Sequence, residues 1–203
     1  MAKPNLLIDL QRCAGCMSCI VACKMEHSVP SGIAWNKVET VGPVGSFPDD
    51  LSLYFLPHAC MFCERALCVE ACPTGASYVR EDGLVLIDPE ICLGCDYCVV
   101  ACPSSARSID ATTNLAVKCN MCVDLLEAGE RPSCVKHCMA YARMYGDMDD
   151  PNNEIDKYLD EGDNRSRIVT LLEGQGTGPK VIYLQSKYGM LSQEVPQALT
   201  DGL

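Results

Sequence analysis

The sequence predicts a loop-rich α+β fold made of two halves related by internal pseudo-symmetry, with an insertion and a C-terminal extension. Three observations lead there. All sixteen cysteines of the 203-residue chain fall into four groups of four, each in a similar local setting. Short β-like runs, residues 5–9 and 84–88, feed directly into two of those groups. Phe, Trp and Tyr make up only 6% of the chain, so much of the interior must be filled by something other than large side chains. Disorder is excluded because 48% of the residues are hydrophobic. A formal charge of −11 argues against nucleic acid as a partner.

The spacing of the cysteines carries the chemistry. Cys13, Cys16, Cys19 and Cys23 read C-x2-C-x2-C-x3-C, and Cys92, Cys95, Cys98 and Cys102 repeat that pattern with Pro103 behind it. Cys60, Cys63, Cys68 and Cys72 read C-x2-C-x4-C-x3-C, followed by Pro73, and Cys119, Cys122, Cys134 and Cys138 read C-x2-C-x11-C-x3-C. Disulfides need an oxidising compartment, for which the N-terminal residues give no targeting signal, and they do not explain three thiols packed at x2 intervals. Zinc knuckles explain the C-x2-C pairs but not the third and fourth cysteine of each group. Iron–sulfur ligation fits every position. In the C-x2-C-x2-C-x3-C-P run, three thiolates wrap one cluster and the fourth serves the sister cluster. Sixteen thiolates therefore predict four [4Fe–4S] clusters. Gly15 and Gly94 occupy matching C-x-G-C turns, where a missing Cβ lets the backbone approach a cluster.

An internal repeat supports this reading. Cys72-Pro73-Thr74-Gly75-Ala76 matches Cys102-Pro103-Ser104-Ser105-Ala106, and Cys138-Met139-Ala140-Tyr141-Ala142 is a weaker copy. Residues 79–85 predict a hairpin about Asp82-Gly83.

With all four motifs in this order, the chain resembles the four-cluster iron–sulfur (beta) subunits of the dimethyl-sulfoxide, polysulfide and thiosulfate reductase type of molybdopterin oxidoreductases. The resemblance covers residues 4–146. It implies two ferredoxin-like halves, each holding two [4Fe–4S] clusters. It also implies four ligand sets: Cys13, Cys16, Cys19 with Cys138; Cys23 with Cys119, Cys122, Cys134; Cys60, Cys63, Cys68 with Cys102; and Cys72 with Cys92, Cys95, Cys98. Residues 1–35 plus 112–146 would form the outer half, 36–59 an insertion, 60–111 the inner half, and 147–203 an acidic extension that contacts a partner. Lys24 and Met139 stand where a Pro would follow the fourth cysteine.

The function implied is a wire. Single electrons would pass through the clusters between a large molybdenum or tungsten bis-pterin catalytic subunit and a second redox partner, either a quinone-linked membrane anchor subunit or a soluble carrier. A free-standing polyferredoxin is the alternative. No catalytic constellation or nucleotide-binding loop is expected within the chain itself. With no signal or membrane span of its own expected, the chain would be cytoplasmic, or exported together with a signal-bearing partner. Arg12, Lys24, Arg65, Lys118 and Lys136 flank cysteines and could raise a cluster's potential. His27, His58 and His137 are expected to pack rather than ligate. Residues 51–56, 168–172 and 181–184 look like strands, and residues 192–203 like an arm or tail.

Overall fold

A computed structural model describes residues 3–49 and 51–186. One unit recurs four times along the sequence: a strand, a cysteine loop and a short helix around the third cysteine. In the first, β1 (Pro4–Asp9) leads to Cys13 and then α1 (Ser18–His27). In the second, β3 (Ser52–His58), paired with β2 (Lys37–Val44), leads to Cys60 and α2 (Leu67–Glu70). A third runs from β4 (Ser77–Val79) and β5 (Val85–Ile87) through Cys92 to α3 (Tyr97–Val100). The last runs from β6 (Arg107–Asp110) and β7 (Leu115–Lys118) through Cys119 to α4 (Val123–Glu127) and α5 (Ser133–Lys136). The closing strand is β8 (Arg143–Asp147). The fold is thus a mixed α+β, ferredoxin-like arrangement of small sheets and short helices.

Cys72 and Cys102 are each followed five residues on by a strand, where the backbone folds back as an antiparallel hairpin. β4 pairs with β5 in the register Ser77↔Ile87, around Asp82-Gly83 as the sequence predicts, and β6 pairs with β7 in the register Arg107↔Lys118. α1 packs against α5, and α2 against α3, so the helices of the first and fourth motifs meet, as do those of the second and third. α1 is the longest helix because Lys24, unlike a Pro, supplies a backbone N–H and lets the helix run on past Cys23. The Lys24 ammonium then donates to the carbonyls of Pro30 (3.1 Å) and Ile33 (2.5 Å), tying down the loop that follows.

The segment read as an insertion is the β2–β3 hairpin. Its Tyr54 and Leu56 are buried in the main core, and the Phe55 ring lies over the first cysteine loop. That core also holds Leu6, Ile8, Phe62, Leu84, Tyr183 and four thiols, Cys19, Cys60, Cys119 and Cys134.

Residues 147–186 are built into the fold. β9 (Ile168–Val169) and β10 (Ile182–Leu184) complete a four-stranded sheet of order β8-β1-β10-β9, in which β1 and β10 run parallel. α6 (Glu154–Leu159), capped by the Asn153 side chain, buries Ile155 and Leu159 against Leu7, Met144 and Leu184. The strand expected over 168–172 stops at Val169, since Leu172 is left-handed (φ 60°) and the backbone turns to bury Leu171 and Leu172. The arm expected at 192–203 lies outside the described residues. Among the described residues no helix is long and apolar enough to cross a membrane.

Candidate metal centres

Three small spaces are each lined by four cysteines from two motifs. Cys13, Cys16, Cys19 and Cys138 line one, beside Gly15, Pro57 and Arg143. Cys23, Cys119, Cys122 and Cys134 line the second, beside Leu6, His27, Asn36 and Pro132. Cys72, Cys92, Cys95 and Cys98 line the third, beside Thr74, Ser77, Ile87 and Ala116. Of the remaining four thiols, Cys60 is buried in the main core and Cys63, Cys68 and Cys102 pack against that core. In each of the three lined spaces, cysteines that are far apart in the sequence meet.

The geometry suits a polynuclear cluster. Four thiolates on one zinc at Zn–S of about 2.3 Å would close to within ~4 Å of one another. Among the described residues no such single-ion group of His, Cys, Asp or Glu exists. Each of the three spaces is instead walled by four thiols drawn from two motifs, the donor set and number that a cubane with one thiolate on each iron takes.

The electrostatics point the same way. Burial pushes the Cys23 and Cys63 thiols up to about 11 and Cys122 to about 12, and Cys119 well above its ordinary value. Gathered this closely, such thiols become thiolates only when a metal supplies compensating positive charge. Donors to sulfur are in place. The Ala142 amide donates to Cys138 Sγ (3.2 Å), the Ser77 amide to Cys72 Sγ (3.4 Å) and the Ser133 amide to Cys122 Sγ (3.5 Å). At Cys72, burial works against ionisation. The Ser77, Thr74 and Ala76 amides and the Thr74 hydroxyl outweigh it and bring the thiol down to about 7. The donors follow from backbone shape, since Gly75, Ser105 and Tyr141, each three residues past a closing cysteine, are left-handed (φ 74°, 46° and 49°).

Gly15 and Gly94 adopt φ of 63° and 64°. A Cβ on Gly15 would sit 2.6 Å from the Phe55 ring, and one on Gly94 would collide with the backbone carbonyl of Asn114. Gly75, equally left-handed, faces open space. Gly94→Ala is therefore expected to cost about 1–3 kcal/mol and to speed iron release to a chelator several-fold, whereas Gly75→Ala costs only about 1–2 kcal/mol of backbone strain. Comparing iron-release rates of the two variants checks this; equal rates would contradict the close-approach role of Gly94.

Of the five cations flanking cysteines in the sequence, the structure buries only Lys118, which donates to the carbonyls of Val85 and Cys119 (the latter at 2.8 Å). Arg12 stacks on Tyr158, Arg65 pairs with Glu70 and Lys136 with Glu130. Two buried arginines were not singled out by sequence reasoning. Arg143 lines the first cavity, and Arg107 donates to Ser77 Oγ (2.5 Å) at the edge of the third. A signal for them exists: each stands five residues after a closing cysteine, one step beyond the Cys102–Ala106 and Cys138–Ala142 repeat. His58 packs on Glu39 (2.8 Å) and His137 on the Ser133 carbonyl (2.9 Å). His27 stacks on Trp35 and sets Nε2 3.1 Å from Cys122 Sγ, a contact to a thiol across 95 residues of sequence.

Comparison with known proteins accords with this chemistry. Residues 51–148 match the family described as "4Fe-4S dicluster domain", which places the chain among iron–sulfur proteins. A polysulfide reductase chain from Wolinella succinogenes is 38% identical, covering 92% of this chain and 96% of its own length. A tetrathionate reductase subunit from Salmonella typhimurium is 41% identical over 88% of this chain and 71% of its own length. A putative dimethyl sulfoxide reductase iron–sulfur subunit from Halobacterium salinarum is 38% identical, covering 92% and 80%. The chain thus belongs to the family of iron–sulfur electron-transfer subunits of the dimethyl-sulfoxide, tetrathionate, polysulfide and thiosulfate reductases.

Proposed function

We propose that the sixteen thiolates hold four [4Fe–4S] clusters, in the sets Cys13/Cys16/Cys19/Cys138, Cys23/Cys119/Cys122/Cys134, Cys60/Cys63/Cys68/Cys102 and Cys72/Cys92/Cys95/Cys98. The clusters relay single electrons between a molybdopterin catalytic subunit and a second redox partner. One observation carries the reading: neighbouring sets adjoin. α1, which carries Cys19 and Cys23, packs on α5 with Cys134; Cys119 and Cys60 share the main core; and α2 with Cys68 packs on α3 with Cys98. We read the order as the Cys13 set, the Cys119 set, the Cys60 set and the Cys92 set.

Exposure along the row supports a relay. All four thiols of the Cys119 set are buried, whereas the end sets each carry an exposed thiol, Cys16 and Cys95. Exposed apolar side chains surround both ends: Val21, Met25, Met139 and Tyr141 at one, Leu93, Tyr97 and Val100 at the other. Such surfaces suit protein partners that exclude water from the transfer site. The halves and extension read from the sequence organise this row, with 1–35 plus 112–146 around the first two sets and 60–111 around the last two. The catalytic site belongs to the partner, and the second partner is a quinone-linked membrane subunit or a soluble carrier. The chain travels with that assembly.

The test is purification of the native assembly under anaerobic conditions. Co-elution with a large molybdenum or tungsten protein, and reoxidation of pre-reduced clusters when that protein's oxidised substrate is added, is the expected result. A metal-pterin-free chain that exchanges electrons with several small carriers would establish the polyferredoxin alternative instead.

A further inference from the structure

Three cations are almost wholly removed from water: Arg107, Lys118 and Arg143, at 3%, 4% and 4% exposure. Burying a charge without a counter-charge is strongly unfavourable. Arg167, also buried, meets that requirement with Asp9. Among the described residues, none of the other three has a carboxylate partner. Arg143 donates to the Asn36 side-chain oxygen (2.9 Å) and leaves Nη2 without a partner. Arg107 donates to Ser77 and leaves Nε and Nη2 without one. Lys118 is held by two backbone carbonyls and the face of Phe62, 5.1 Å away.

Their positions explain this. Arg143 lines the Cys13-set cavity and lies close enough to Cys19, Cys134 and Cys119 to feel their charge, so it stands between the first and second sets. Lys118 grips the Cys119 carbonyl and acts on Cys68, so it stands between the second and third. Arg107 reaches Ser77 Oγ on the wall of the Cys92-set space and lies close enough to Cys60, Cys68 and Cys98 to feel their charge, so it stands between the third and fourth.

Resting on the four-cluster reading above, we propose that Arg143, Lys118 and Arg107 are fixed charges at the three junctions of the row, each stabilising an added electron on the two clusters it separates. An all-cysteine [4Fe–4S] cluster is an anion in both redox states, because four thiolates outweigh the core, and reduction makes it more so. An electron arriving on one cluster is therefore repelled by its neighbours in a low-dielectric interior. A cation in each gap offsets that repulsion and raises the potentials of the adjoining pair together. The clusters in turn are the counter-ions that the three buried cations otherwise lack. These are positioning residues: they touch no substrate and carry no electron.

The experiment is a potentiometric titration of the anaerobic holoprotein in its native assembly, followed by electron paramagnetic resonance, with iron counted in each sample. Arg143→Gln is expected to lower the potentials of the Cys13-set and Cys119-set clusters and leave the other two unchanged, with Arg143→Lys close to the parent. Arg107→Gln is expected to lower the Cys60-set and Cys92-set clusters instead. Should Arg143→Gln fail to assemble, Lys118→Met decides, with the middle two clusters lowered. Full iron content with unshifted potentials, or an equal shift of all four clusters, would overturn the proposal. A parent protein with fewer than four clusters would instead overturn the reading on which it rests.

Discussion

Stripped of iron, the protein is expected to lose its cooperative fold. Ordering each residue costs about 1–2 kcal/mol of backbone entropy, which a domain normally offsets by burying large apolar side chains. Here few are available, and the core around Leu56, Phe62 and Tyr183 is interrupted by four thiols and flanked by thiol-lined spaces. The helices in the cysteine loops cannot stand alone. α2, α3 and α5 have four residues each, far below the ~12–15 at which an isolated helix becomes marginal. On the proposed ligation, the clusters would link segments distant in sequence, such as Cys23 with Cys119, with iron offsetting the buried thiolates and the net-anionic cluster offsetting the three buried cations. Chelator-treated protein, kept reduced, should show a featureless thermal transition by circular dichroism and rapid proteolysis across residues 10–145. A sharp, native-like melt of iron-free protein would contradict this.

Removing the Asp9 carboxylate should be the most damaging single change away from the cysteines. Asp9 ends β1, four residues before Cys13, and its side chain is wholly buried. Arg167 donates to its two oxygens (2.5 and 3.3 Å), Tyr158 donates its hydroxyl (2.7 Å), and the Gln11 amide donates from the start of the first cysteine loop (2.9 Å). One carboxylate therefore fastens the C-terminal segment to the strand that aims the first cluster loop. Asp9→Ala leaves the Arg167 guanidinium buried and unpaired, which is expected to cost about 3–5 kcal/mol. Replacing both partners, as Asp9→Leu with Arg167→Met, removes the uncompensated charge and should recover much of that loss. Denaturant unfolding of the holoprotein under anaerobic conditions checks both, and a double variant no better than Asp9→Ala would show that the pair acts through more than charge.

How far the sequence could be read depended on the range of each interaction. Cysteine spacing is local and rigidly tied to cluster size, so the motifs and the hairpin about Asp82-Gly83 were legible. So was β10, one residue shorter than the run at 181–184. β2 was not, because Gly42 and Pro43 break its alternation where the ladder shifts register between Val41 and Val44. The early end of β9 was set by Leu171 and Leu172 turning into the core. The approach of His27 to Cys122 and the latch of Arg167 on Asp9 bridge 95 and 158 residues, a separation at which single-sequence patterns carry no information. Proximity to cysteine in the sequence also proved a poor guide to the cations. Arg12, Lys24, Arg65 and Lys136 adjoin thiols in the sequence but turn to carboxylates, carbonyls or an aromatic face. Arg107 and Arg143 reach the thiols because the strand after each closing cysteine points its first side chain inward.

The most direct measurement is the content of iron and acid-labile sulfide per chain in anaerobically prepared protein, with Mössbauer spectroscopy to assign cluster type. Four [4Fe–4S] clusters predict sixteen irons and sixteen sulfides per sixteen cysteines, none of them open to alkylation. Half that iron, with eight thiols freely alkylated in an active assembly, would contradict the account.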